Sequence, residues 1–160
     1  MNPIPLSLRR EMPEDAKAVE TLTREAFWNQ YTPGCSEHYL VHRLRDSSDF
    51  LPDLDYVAYA EGRLVGSILY AKAHIALDRG GTLPVIGFGP LSVLPAYQGR
   101  GVGGRLVEYT RELARQAGYT AILIYGDPAY YSRLGFVPAE QYGIGAPDGF
   151  YRAALQAYEL

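Results

Sequence analysis

A chain of 160 residues, 48% apolar and 21% charged, has the make-up of one globular domain, long enough to bury roughly two-thirds of the surface its unfolded form exposes. No apolar run approaches the roughly 18 residues that a membrane span requires, and a formal charge of −3 with scattered arginines argues against a membrane or nucleic-acid surface as partner. The opening stretch MNPIPLSLRREMPED has no secretory apolar core, and the single cysteine, Cys35, has no mate for an intramolecular disulfide, so a reducing cytoplasm is the expected location.

In chain order, PLSLRR at residues 5–10 alternates well enough for a first strand. MPEDAKAVETLTREAF follows as a helix, with Pro13 in its first turn, Glu14 and Asp15 beside its positive end, and Ala16, Val19, Leu22 and Ala26 on one face. A loop around YTPG leads to a second helix in CSEHYLVHRLRDS, for which Ser36 is the expected cap and Leu40, Val41 and Leu44 the inward residues. DYVAYAEGRLVGSILYAKAHI reads as an antiparallel hairpin turning at Glu61 and Gly62, and ALDRGGTLP as a flexible loop. In VIGFGPLSVL the residues Gly87, Gly89 and Pro90 suit a regular ladder poorly, so a bulge or a gap in pairing is expected there.

Val102, Leu106, Tyr109, Leu113 and Ala117 then recur at helical spacing, with Gly118 as the C-terminal cap, and TAILIYG is a short strand of the buried kind. Strand, loop, helix and strand over about residues 85–126 make a βαβ unit, which requires its two strands to run parallel. A short helix around PAYYSRL and strands near 135–139 and 150–158 complete the chain.

VLPAYQGRGVGGRL, residues 93–106, sets Gly99, Gly101, Gly103 and Gly104 between an apolar run and a helix. Such a loop lets backbone N–H groups converge on an anion at the positive end of the helix, so phosphate binding is the leading functional reading and a plain glycine-rich turn the alternative. Gly99, Gly101 and Gly104 spell G-x-G-x-x-G, but dinucleotide folds open on that fingerprint, whereas here it lies late in the chain and only 34 residues follow Gly126. No Gly-Lys-Ser/Thr occurs, which removes the Walker loop.

The same segment, LSVLPAYQGRGVGGRLV, resembles the GNAT superfamily of acyl-CoA-dependent N-acetyltransferases. Val93, Pro95, Gln98, Gly101 and Gly103 match its Val-x-Pro, a short gap, then Gln/Arg-x-x-Gly-x-Gly/Ala opening a helix. YYSRLGF is similar to the family's Tyr-x-x-x-Gly-Phe, with Tyr131, Gly135 and Phe136 in the matching places. GDPAYY looks like a subgroup of uncharacterised bacterial acetyltransferases. The resemblance implies an α/β (α+β) fold in one domain over residues 1–160, with a mixed, mostly antiparallel sheet of about six to seven strands flanked by about four helices. It also implies acetyl-CoA as cosubstrate, no metal, transfer of the acetyl group by direct attack of a primary amine on a small molecule or peptide, and a homodimer as an open expectation.

Residue by residue, the resemblance implies that Gln98, Gly99, Arg100, Gly101, Val102, Gly103 and Gly104 cradle the pyrophosphate of coenzyme A. The preceding strand, Leu91, Ser92 and Val93, carries the pantetheine contacts, through backbone groups of Leu91 and Val93. It assigns Tyr131 as the acid that protonates the departing thiolate, with Tyr130 beside it facing the wrong way. The glutamate that some members place on this strand is missing, since no acidic residue occurs from Arg79 through Val107, and Glu25, Glu37, His74, Asp127 or water remain as acceptors of the amine's proton. Asp127 stands where many members have asparagine, which leaves its contact with pantetheine open.

Cys35, His38 and His42 have ligand-like spacing, but no fourth ligand stands near them and acyl transfer has no use for a metal. A domain that binds acyl-CoA without transferring the acyl group is the alternative within the same fold, and an NAD-binding oxidoreductase is the alternative outside it.

Overall fold

In the computed structural model, which describes residues 4–31 and 33–160, seven strands form one sheet. They are β1 (Ser7–Arg10), β2 (Tyr56–Ala60), β3 (Arg63–Ala76), β4 (Thr82–Val93), β5 (Ala121–Tyr125), β6 (Val137–Pro138) and β7 (Leu155–Glu159), in the order β1-β2-β3-β4-β5-β7-β6. Neighbours run antiparallel except β4 and β5, which are parallel as the βαβ reading requires. The four α-helices are α1 (Ala16–Phe27), α2 (Glu37–Leu44), α3 (Val102–Gln116) and α4 (Pro128–Tyr131). Thr32, in the loop expected between the first two helices, lies outside the described residues.

The β2–β3 hairpin turns at Glu61 and Gly62, with φ of +53° and +75°, the left-handed pair that matches the twist of its strands. Four sequence expectations need correction. The stretch ALDRGGTLP is not a flexible loop but the end of a second hairpin: Ala76 pairs with Thr82, and only 77–81 turn, through Gly80 and Gly81 at φ +92° and +86°. The strand ends on either side of this turn are mostly exposed, so they lack the apolar alternation that marks a half-buried strand. Leu40 is 52% exposed, because one residue along a helix is a turn of about 100° and Val41 takes the inward place. The Ser36 side chain makes no capping bond. The last strand begins at Leu155 rather than near 150, and β6 is only two residues long.

Two layers of helices follow from the pleat. On one face α1 and α2 set Val19 and Val41 against Val57 and Leu69. On the other, α3 sets Val102 and Leu106 against Ile68, Tyr70, Ile86 and Ile122. A Cβ on Gly66 would come within 2.8 Å of Val102, so a glycine in β3 is what lets α3 lie this close. Thr110 of α3 fixes the register by pairing with the buried Tyr70 hydroxyl at 2.8 Å and donating to its own helix's Leu106 carbonyl.

The first strand and first helix are joined by Asp15, which accepts from Arg9 at 2.7 Å, from the Met12 N–H at 2.8 Å and from the Tyr59 hydroxyl at 2.9 Å. Arg9, followed by the Met12 N–H and Tyr59, holds its carboxyl down to about 2. Arg45, just past α2, bridges Glu11 and Glu20, the latter at 3.0 Å. Behind Glu11 lies Asp55, whose carboxyl is held well above the usual carboxylate range by burial and by the adjacent Glu11 carboxyl.

Two outcomes follow. Replacing Gly87, where a Cβ would lie 2.6 Å from the Leu123 carbonyl oxygen, should wedge β5 away from β4; Gly87→Ala is expected to lower stability by about 1–3 kcal/mol in a denaturant titration. Asp55 keeps a proton that the unfolded chain loses near its ordinary pKa, so its contribution to stability falls as pH rises between the two, by up to about 1.4 kcal/mol per pH unit. Asp55→Asn should remove that slope, leaving the denaturation midpoint less pH-dependent than wild type between about pH 6 and about pH 8.

Candidate active site

The site begins with an interruption in β4. Ile68 pairs with Leu91 and Tyr70 with Phe88, so Gly89 and Pro90 stand together against the single residue Leu69. Pro90 has no N–H to give to a ladder, and the expected bulge is found here. On its other side β4 pairs with β5 only at Ile86 and Ile122, while β5 stays paired with β7 on its opposite edge from Ala121 through Tyr125. Downstream of Gly87 the edge of β4 therefore has no strand beside it.

Leu94 donates its N–H to Val65 across the β3 ladder. Alternation then directs the Ser92 backbone to β3 as well, and turns the backbone groups of Leu91 and Val93 to the open side. The Val93 carbonyl on that side accepts the Gln98 side-chain amide at 3.0 Å. Ser92 itself is buried and donates its hydroxyl to Thr23 of α1 at 3.2 Å, so neither its backbone nor its side chain reaches the open edge.

From β4 the chain makes a 3-10 turn over Pro95–Tyr97 and enters α3 through Gly99 and Gly101, at φ +72° and +84°. A Cβ at either would meet nothing within 4 Å, so these two are glycines for their left-handed backbone, and the space before the helix end is open. The free N–H groups of the first turn of α3 face that space with the positive end of its dipole. Val102 lends only its backbone, its side chain being 1% exposed in the core. Arg100 folds its guanidinium over the Tyr97 ring at 5.5 Å. Gly104 packs against Leu134, where a Cβ would lie 3.4 Å away.

Tyr131 stands on the far wall. Its ring lies across Gly126, where any Cβ would collide with it, and meets Phe88 at 5.9 Å and Phe136 at 5.7 Å. Phe88 is next to the bulge in β4, so the phenol is held at the head of the open edge. Burial pushes the Tyr131 phenol up, and the nearby phenols of Tyr130, Tyr31 and Tyr70 act in the same direction. Tyr131 is therefore a neutral O–H donor throughout the neutral range. Tyr31 belongs to the segment between α1 and α2, where it is exposed and its ring lies 6.2 Å from that of Phe27. Nothing in its spacing marks Tyr31 out in the sequence.

The four candidate proton acceptors separate. His74 pairs with Pro84, five residues and roughly 16 Å of strand from Gly89, and does not join the site. The Asp127 carboxylate caps α4, accepting from the Ala129 N–H at 2.9 Å. Glu25 and Glu37 stand at the ends of α1 and α2 that face the intervening loop. Of the ligand-like trio, Cys35 lies 3.3 Å from His38, whereas His42 turns to Glu20 at 3.2 Å.

With this geometry in view, the comparisons with known proteins agree. Residues 53–138 match the family model described as an acetyltransferase (GNAT) domain. The chain is 31% identical over 154 residues to the uncharacterized N-acetyltransferase YhbS of Escherichia coli strain K12, covering 96% of this chain and 86% of that one. The crystal structure of Escherichia coli YhbS in complex with CoA superposes with a TM-score of 0.81 at 28% identity, over 99% of this chain and 83% of that one. A GNAT acetyltransferase from Brucella melitensis in complex with acetyl-CoA gives 0.75 at 28% identity, over 98% and 88%. The overall fold is shared with these structures, and the chain belongs to the GNAT acetyltransferase family.

Proposed function

We propose that the protein transfers an acetyl group from acetyl-CoA to a primary amine. The observation that carries this is the unpaired edge of β4, bounded by the glycine loop at one end and Tyr131 at the other. The complexes of similar proteins with CoA and acetyl-CoA support it. Backbone N–H groups from Gly99 to Gly104 are suited to a pyrophosphate, and the outward groups of Leu91 and the Val93 N–H to an amide-bearing arm laid alongside as if it were an added strand. Acetyl-CoA supplies an activated thioester.

The amine must be neutral to attack, and an alkylamine near pKa 10.4 first gives its proton to the surroundings. As the new C–N bond forms and the C–S bond breaks, the sulfur takes the Tyr131 phenolic proton and leaves as a thiol, and the second amine proton passes through water to restore the phenol. Tyr131 directs its O–H to that sulfur, and the open N–H groups of the bulged strand face the thioester oxygen. Because burial raises the phenol, its protonation does not limit the reaction on the basic side, and the rate is expected to climb with pH through the neutral range as more amine is neutral.

The absence of a carboxylate on β4 favours one other reading, a domain that binds acyl-CoA as a signal. Tight acetyl-CoA binding without thiol release across a panel of amines would establish that reading. For the enzyme, CoA and not NAD should raise Tm, and saturable thiol release should appear with at least one amine class. Tyr131→Phe keeps the ring packing and is expected to lower kcat by about a hundredfold; undiminished turnover would remove Tyr131 from the chemistry.

A further inference from the structure

Successive residues on α4 point about 100° apart, and the rings of Tyr130 and Tyr131 meet edge to face, at 89° and 4.8 Å between centroids. Tyr131 turns to the aromatic cluster of Phe88 and Phe136. Tyr130 turns to α3: a Cβ at Gly103 would collide with its hydroxyl and would lie 3.5 Å from the Leu91 side chain. The hydroxyl thus rests on the first turn of α3 opposite Leu91, between the glycine loop and the open edge of β4. Gly103 is glycine for this phenol, whereas Gly99 and Gly101 have open space and a left-handed backbone.

The fully buried Tyr70 hydroxyl finds its partner in Thr110, whereas Tyr130 is only partly buried and its hydroxyl keeps access to the site. The Tyr130 hydroxyl forms no hydrogen bond with the described residues. Its ring is fixed by Tyr131 and by the Arg133 guanidinium at 5.7 Å. Burial raises the phenol against the opposing pull of Arg133, so it remains an O–H donor. A donor with no protein acceptor, set beside the Leu91 side chain at the wall of the site, is placed to donate to a ligand there. Phosphate oxygens are met first by the loop N–H groups; the acceptors that fall beside Leu91 are the carbonyls of the pantetheine arm.

We infer that the Tyr130 hydroxyl is a ligand-binding group that donates a hydrogen bond to the pantetheine arm of the acyl-CoA; the inference rests on the acetyl-CoA reading above. Calorimetry on wild type and Tyr130→Phe, with CoA and with adenosine 3′,5′-bisphosphate, which lacks the arm, tests it. Binding of CoA should weaken about threefold to tenfold in the variant, with bisphosphate binding unchanged. Equal CoA affinity in the two proteins, or equal weakening for both ligands, would overturn it. Should wild-type protein bind the bisphosphate but not CoA, or neither, the acetyl-CoA reading itself falls and this inference with it.

A second measurement checks the seat of the hydroxyl without any ligand. Gly103→Ala should lower Tm in wild type and cost much less in Tyr130→Phe, where the colliding oxygen is gone. An equal cost in both backgrounds would place the hydroxyl elsewhere and overturn the inference.

Discussion

The molecule depends on one parallel contact that stops early. β4 and β5 meet at Ile86 and Ile122, close enough that Gly87 leaves no room for a side chain, and then separate. A sheet interrupted in this way would ordinarily expose unsatisfied backbone groups. Here the bulge at Gly89 and Pro90 reduces their number and the Gln98 amide occupies the Val93 carbonyl, while β5 stays fastened to β7 along its opposite edge. The helices on the two faces are what keep the halves together: α3 spans from the glycine loop back toward β5, while α1 is tied to β4 through Thr23 and Ser92.

Much of this could be read from the amino-acid order, because the features that part the strands are local. Gly87, Gly89 and Pro90 announce an irregular strand, and the spacing from Val102 to Ala117 announces the helix after it. The β2–β3 turn was equally legible from Glu61-Gly62, since so short a connection favours positive φ and glycine supplies it without steric cost. Less legible were elements whose stability comes from partners distant in the chain. The ends of the β3–β4 hairpin pair with each other outside the helical layers, and Leu40 yields the inward place to Val41 through the angle at which α2 lies on the sheet.

At the site the division is similar. The glycine loop and Tyr131 carry short-range signatures, and they stand at the two ends of one open edge. What spacing left hidden is the work done between elements. Three glycines of one loop have different physical reasons, Gly99 and Gly101 for backbone conformation and Gly103 for the approach of Tyr130, and only the last depends on a residue of another helix. Likewise Ser92 sits inside the matching segment but points its hydroxyl at α1, and Asp127 is engaged by the α4 backbone. A linear motif names a neighbourhood; the pleat and the helix angle decide which members of it face the ligand.

Arg45 holds the Glu11 and Glu20 carboxylates just past the end of α2, with Asp55 behind them. The helix is therefore anchored at its C-terminal end, to the base of β1 and to α1, while its N-terminal end opens into the segment that carries Tyr31. A hinge fastened at one end leaves the other free to be rebuilt. Insertions, deletions or replacements within residues 28–36 can therefore change the surface this segment presents without shifting the core behind it.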